Sequence, residues 1–267
     1  MFLSIFIFSQ GALAEGTWRE RIREKMKARQ KMTNPQAANT QNSKELGTEP
    51  GVYDVNLKHD GLTRYYRVYV PNSYDKSKKT PAVIYLHGGG GNKDVVEKDG
   101  LYKYADKYGF ILIAPEGTGK YVFGRLWGTW NGGAHTVGGV VSKCCGQASD
   151  KNLDDVGFIS KVIDEVAKNF NVDDKRIYAT GISNGGLMSY TLACNLSEKI
   201  AAIAVVAPSG TPDACNPSRP VSVMHIHGTA DPIAPYNGGK GGEIFGSKGH
   251  LVQPATDMVS RWRQING

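Results

Sequence analysis

Gly181-Ile182-Ser183-Asn184-Gly185 constrains this 267-residue chain more than any other stretch. It follows an apolar run, Arg176-Ile177-Tyr178-Ala179-Thr180, and precedes a helix-like segment, so a serine stands at a sharp turn between a strand and a helix. A serine hydroxyl is a useful nucleophile only when it is held clear of the backbone, beside a base and beside donors for a developing oxyanion. Glycines two positions either side permit so tight a turn, because a Cβ there would strike the adjoining strand or helix. With 33 glycines in the chain the pentapeptide also arises by chance, and its meaning rests on what surrounds it.

Two further segments supply that context. Pro81-Ala82-Val83-Ile84-Tyr85-Leu86 reads as a buried strand running into His87-Gly88-Gly89-Gly90-Gly91. This resembles the HGGG loop of esterases and lipases, whose backbone N–H supplies one arm of an oxyanion hole. The other arm is expected from Asn184, which follows the serine and opens the next helix with its dipole aimed at the same point. The alternative for the glycines is a flexible turn. Val221 to His227 alternates as a strand and ends in Gly228-Thr229-Ala230-Asp231-Pro232. Asp231 therefore sits past a strand's carboxyl end, where open α/β sheets gather their reacting groups. A carboxylate there can hold a histidine in its working tautomer; the competing use is an Asx-turn before proline.

The order serine then aspartate is that of α/β-hydrolases, which requires a histidine further along. Of six histidines only His250 follows Asp231, in a loop between a Gly/Lys-rich stretch and a helix-like segment, Ala255 to Gln264. A solvated loop histidine is the preferred reading of His250, and the expectation is a catalytic domain, residues 50–267, that lacks its last strand and helix.

Other elements fit an α/β fold, a mostly parallel sheet with helices on both faces. Gly51 to Leu57 and Thr63 to Val70 alternate around a His59-Asp60-Gly61 turn as an opening hairpin. A helix is expected near Val95 to Tyr108 and a strand over Phe110 to Pro115. Val156, Ile159, Ile163 and Val166 recur at helical spacing, and Asp154 and Asp155 before them suit an N-cap and dipole role. The stretch Gly117 to Ser149 is long for a connector and holds Trp127, Trp130 and a cysteine pair. Its tryptophans suit either the wall of a substrate pocket or a packed cluster under the loop.

At the other end, Phe2 to Phe8 is apolar and is followed by Ala12-Leu13-Ala14, which predicts a signal peptide over residues 1–14. The run is too short to span a bilayer, and no Lys or Arg precedes it. Residues 15–49 read as a basic segment, Trp18 to Lys31, and a polar linker, Thr33 to Thr48. That segment carries much of the net charge of +7, and a solvated helix is favoured over a surface anchor. Basic residues elsewhere are mixed with acids, which argues against nucleic-acid binding. Export makes a disulfide among Cys144, Cys145, Cys194 and Cys215 the expectation, with the adjacent pair bonding elsewhere. Their spacing suits no zinc site.

HGGGG at His87, WNGG at Trp130, CCG at Cys144, DDVGF at Asp154, GISNGG at Gly181 and HGTADP at His227 together resemble the secreted polyhydroxybutyrate depolymerase and feruloyl esterase family of α/β-hydrolases. The resemblance covers the chain from about Gly51 onward. It implies Ser183 as nucleophile, Asp231 as triad acid, Asn184 with Gly89 as oxyanion donors, and a histidine in a Gly-His loop beyond the end of this sequence. It implies ester hydrolysis without metal or cofactor, outside the cell or in the periplasm, on polyhydroxyalkanoate or, as runner-up, on feruloyl or acetyl esters of plant polysaccharide. A non-catalytic polymer-binding protein on the same scaffold, and an intracellular peptidase or thioesterase, are the alternatives. Oligomeric state is not legible.

Overall fold

The computed structural model describes residues 45–243 and 250–267, so the leader, the basic segment and most of the linker expected from the sequence lie outside the described residues. Strands β1 (Gly51–His59) and β2 (Leu62–Val70) pair antiparallel from Gly51↔Val70 to His59↔Leu62. The pairing runs further than the alternation alone suggests because Asp60 and Gly61 both take positive φ, 48° and 74°, forming a two-residue turn that lets it continue to the tip.

After β3 (Thr80–Leu86), the helix expected over 95–108 is two short ones, α1 (Val95–Lys98) and α2 (Tyr102–Tyr108), parted where Gly100 turns to φ 67°. Strand β4 (Ile111–Pro115) follows, then two hairpins, β5 (Thr118–Val122) with β6 (Arg125–Thr129) and β7 (Ala134–Val137) with β8 (Val140–Lys143). The remainder is α3 (Gly146–Asp150), α4 (Asp155–Asn169), β9 (Val172–Ile182), α5 (Asn184–Asn195), β10 (Ala202–Val206), β11 (Ser222–Ile226), β12 (Gly239–Lys240), β13 (Leu251–Val252) and α6 (Ala255–Asn266). Seven strands form one sheet in the order β1-β2-β4-β3-β9-β10-β11. β4, β3, β9, β10 and β11 run parallel, with β2 antiparallel to both its neighbours.

Alternation along the strands sends side chains to two cores. Tyr69, Leu112 and Ala114 pack with Val96 and Ala105 of α1 and α2 on one face. Val68, Val70, Ile111 and Ile113 join Phe158, Ile159, Met188, Met258 and Trp262, from α4, α5 and α6, on the other. Each large side chain so buried contributes about 1.5–3 kcal/mol. Only one of the two aspartates before α4 caps it: Asp154 accepts from the Gly157 N–H at 2.8 Å. Asp155 instead lies buried against Arg64 (2.6 Å), an ion pair sealed from water that locks α4 to β2.

Disulfides join Cys194 to Cys215 and, contrary to the expectation from their adjacency, Cys144 to Cys145. The first ties the end of α5 to the segment between β10 and β11 and contributes about 3 kcal/mol by the loop it closes. β11 is the sheet edge among the described residues, with Met224 and Ile226 exposed by 60% and 46%. No helix among the described residues is long and apolar enough to cross a membrane.

Candidate active site

Ser183 sits between β9 and α5 with φ 56° and ψ −121°, a conformation that L-residues with side chains rarely hold. Its own N–H donates to the Val206 carbonyl of β10 (2.8 Å), and its carbonyl accepts from Leu187 N–H (3.0 Å), so the turn is gripped from both sides. The flanking glycines are obligatory on steric grounds. A Cβ at Gly181 would lie 2.5 Å from the Gly185 carbonyl oxygen, and one at Gly185 would meet the Leu86 and His87 carbonyl oxygens.

The glycine loop after β3 lies directly over this turn: a Cβ on Gly88 would be 3.7 Å from that of Ser183, and one on Gly89 3.9 Å from that of Asn184. Its conformation is set by hydrogen bonds rather than left free. Gly88 O accepts from His87 Nδ1–H (2.8 Å) and from Gly91 N–H (3.0 Å). A trans peptide holds its C=O and N–H antiparallel, so pinning Gly88 O aims the Gly89 N–H the opposite way. That N–H has no acceptor among the described residues. Asn184, at the first position of α5, likewise has an N–H with no acceptor within its own helix.

His87 is fully buried and accepts the Gly117 N–H at Nε2 (3.0 Å), which fixes the neutral tautomer with the proton on Nδ1. Burial, reinforced by the charge of Arg125, depresses its pKa to about 4. Gly90 N–H and Gly128 O (2.9 Å), with Gly128 N–H and Gly91 O (2.9 Å), splice the loop to β6.

Ser183, Gly89, Gly90 and Trp127 line one cavity of about 510 Å³ together with Cys145 and His250. Of the two tryptophans, Trp127 takes the wall and Trp130 the packed position. Trp130 is wholly buried and does not line the cavity, which corrects its assignment to the substrate pocket. Its indole N–H donates to His87 O (3.0 Å), its backbone N–H to Asn184 Oδ1 (2.7 Å), and its carbonyl accepts from Asn184 Nδ2 (3.0 Å). Asn131 N–H then donates to Asp155 Oδ2 (2.7 Å). These links bring the WNGG and DDVGF segments and the elbow together, and a reading of single motifs misses them because the partners are 24 to 54 residues apart.

Asp231 lies past β11, as its strand predicts, and takes the Asx-turn: Oδ1 accepts from the N–H groups of Ile233 (2.8 Å) and Ala234 (2.9 Å). Oδ2 makes no hydrogen bond among the described residues and stands 4.0 Å from His227 Nε2. Asp231 is not part of the Ser183 cavity wall.

A relay that the alternating pattern conceals lies alongside. His227 Nε2–H donates to Ala234 O (2.7 Å), which leaves His227 Nδ1 to accept from His225 Nε2–H (3.2 Å) and His225 Nδ1 to accept from Tyr190 O–H (2.8 Å). Two histidines two residues apart on one strand face were its only signal in the sequence. Burial and the neighbouring His227 depress the pKa of His225 to about 4.

His250 is half-buried in the cavity wall rather than solvated, and burial with the nearby His135 lowers its pKa. No hydrogen bond joins it to the Ser183 hydroxyl. Its ring is within 4.8 Å of the Cys144 and Cys145 sulfurs, which form the one metal-like cluster among the described residues; joined as a disulfide they offer no thiolate to an ion.

The Esterase family model matches residues 61–235, which takes in the glycine loop, the elbow and Asp231. The chain belongs to the esterase family. Among its esterase relatives, feruloyl esterase C of Emericella nidulans is 31% identical over 204 residues, covering 74% of this chain and 65% of that protein. Feruloyl esterase B of Piromyces equi is 31% identical over 209 residues (75% and 35%). The bifunctional acetylxylan esterase/xylanase XynS20E of Neocallimastix patriciarum is 27% identical over 180 residues (67% and 23%). The chain thus spans 65% or less of each of these three relatives. A crystal structure of a thermostable esterase superposes with a TM-score of 0.55 at 18% identity, covering 81% of this chain and 52% of that one, which shows the shared α/β-hydrolase fold.

Proposed function

We propose that the protein is a serine hydrolase of carboxylic esters and that its substrates are feruloyl or acetyl esters carried by plant polysaccharide, cleaved outside the cell. The observation that carries the reading is the juxtaposition of a serine forced to φ 56° with two backbone N–H groups, Gly89 and Asn184, beside an aromatic-walled cavity. Ser183 Oγ attacks the ester carbonyl while a base takes its proton. The carbonyl oxygen becomes an oxyanion received by the two N–H groups, and the alcohol leaves with a proton as the C–O bond breaks. Water then repeats the sequence on the acyl-enzyme to release the acid. Asp231 orients the base through its carboxylate.

Feruloyl and acetylxylan esterases among the relatives support the polysaccharide reading over polyhydroxyalkanoate, and Trp127 puts an aromatic side chain in the cavity wall, which suits an aromatic acyl group. Hydrolysis of methyl ferulate and acetylated xylan, measured beside polyhydroxybutyrate granules, tests the substrate. Ester turnover retained near wild type by Ser183→Ala defeats the mechanism. Labelling of Ser183 by a fluorophosphonate in wild type and in His250→Ala decides whether the base is His250: labelling lost only in the variant assigns it, and labelling kept in both excludes it.

A further inference from the structure

Trp130 touches both arms of the oxyanion site and neither substrate-facing surface. Its indole N–H holds the His87 carbonyl (3.0 Å), and its ring lies 4.8 Å from the His87 imidazole, centroid to centroid. That imidazole holds Gly88 O, the carbonyl of the peptide whose N–H belongs to Gly89. Through its backbone, Trp130 closes a reciprocal pair with the Asn184 amide, donating to Oδ1 (2.7 Å) and accepting from Nδ2 (3.0 Å), and Nδ2 also reaches Cys144 O (3.2 Å). Asn184 and Trp130 are exposed by 1% and 0%, so none of these bonds competes with water. A tryptophan serving only to fill the core needs one acceptor for its N–H and none in particular. This one takes its acceptor from one donor-bearing loop and spends its main chain on the residue that bears the other donor.

We propose that Trp130 is a positioning residue that fixes the distance and angle between the two oxyanion donors, Gly89 N–H and Asn184 N–H, by clamping the glycine loop to the start of α5. The proposal rests on the ester-hydrolase reading for its catalytic consequence and on the hydrogen bonds alone for the coupling. An oxyanion is stabilised only if both donors stand within hydrogen-bond reach of one point, whereas ground-state binding in the cavity does not need them aligned. Loss of the clamp therefore acts on turnover and spares affinity.

The test is Trp130→Phe, which keeps an aromatic ring in a sealed site and deletes the N–H, alongside the benzothiophene analogue of tryptophan at the same position, which keeps the bicyclic shape should phenylalanine not fold. The expected result with a nitrophenyl ester is a fall in kcat of about 10- to 100-fold with KM within about threefold of wild type. Asn184→Ala is expected to do the same, and the double variant to lose less than the product of the two single losses, because both cut one coupling. A variant with lowered Tm but wild-type kcat, or with only KM raised, overturns the proposal. Amide resonances of the substrate-free protein give a second reading: Gly89 and Asn184 should both shift in the position-130 variants, and an unmoved amide at either overturns the coupling. A wild type that turns over no ester defeats the ester-hydrolase reading, and the resonances then judge the coupling by themselves.

Discussion

The two ends of the proposed charge-handling machinery are built to different standards. Around Ser183 the turn is held by several hydrogen bonds, Ser183 N–H to Val206 O, Leu187 N–H to Ser183 O and the buried His87 and Trp130 contacts, on strands β3 and β9 in the interior of the sheet order. Around Asp231 the neighbouring strand is β11, the sheet edge among the described residues, its side chains exposed in alternation, and one carboxylate oxygen lacks a hydrogen bond. The contrast teaches where rigidity is needed. A nucleophile and its oxyanion donors act at a fixed point and lose rate with small displacements, whereas a carboxylate that orients a base needs only to keep its charge and one oxygen available.

That contrast breaks most readily at Gly185. Gly185→Ala would drive a Cβ into the Leu86 and His87 carbonyl oxygens, and is expected to cost more than about 3 kcal/mol, with loss of soluble protein or a fall in denaturant midpoint. Asp231→Asn should show the opposite profile. The Oδ1 acceptor for Ile233 and Ala234 survives, so stability should change by less than about 1 kcal/mol, while turnover falls by about 10²- to 10⁴-fold. An Asp231→Asn protein with both stability and turnover intact would leave the residue as a turn former alone.

Acid sharpens the comparison. His87 has a native pKa near 4, below the ordinary 6.5, so the unfolded chain binds the extra proton first. Its stabilisation is fully present above about pH 6.5 and is lost as pH falls toward 4, a change of up to roughly 3 kcal/mol. Urea titrations between pH 7 and 4 should show this slope together with that of His225, whose pKa is also lowered to about 4, and His87→Gln should make it shallower by the His87 share. The smallest effect is expected at the edge. Met224→Lys, on a side chain 60% exposed, should alter stability by no more than about 0.5 kcal/mol, against about 2–5 kcal/mol for Ile84→Ala in β3, measured by the same titration.

What the sequence discloses follows the same division. The elbow, the glycine loop and the strand before Asp231 are legible because each depends on neighbours in the chain: a glycine two residues from the serine, a run of apolar residues before the histidine. The span 117–149 is not, since its hairpins are short and its partners distant: Gly91 pairs with Gly128, and Trp130 with Asn184. Trp127 and Trp130 are three residues apart with identical side chains, and only the fold decides that one walls a cavity while the other is sealed. Adjacency in sequence argues against the Cys144–Cys145 link that the structure makes, and the half-burial of His250 is hidden from the sequence because His135 comes near it only in the fold. The Asp154 cap was legible as local chemistry, whereas the burial of Asp155 required Arg64, 91 positions away.

The splice between Gly90, Gly91 and Gly128 makes the cavity wall and the oxyanion loop one mechanical body, for Trp127 belongs to the strand that carries Gly128. Under the proposed ester hydrolysis, an acyl group too broad for the cavity would press on Trp127, and the displacement would have a route through the Gly128 pairing to the peptide beside the Gly89 N–H. Size discrimination would then be read out in the speed of acylation: a misfit ester would occupy the site without turning over, so that in a mixture the poor substrates would behave as inhibitors of the good ones.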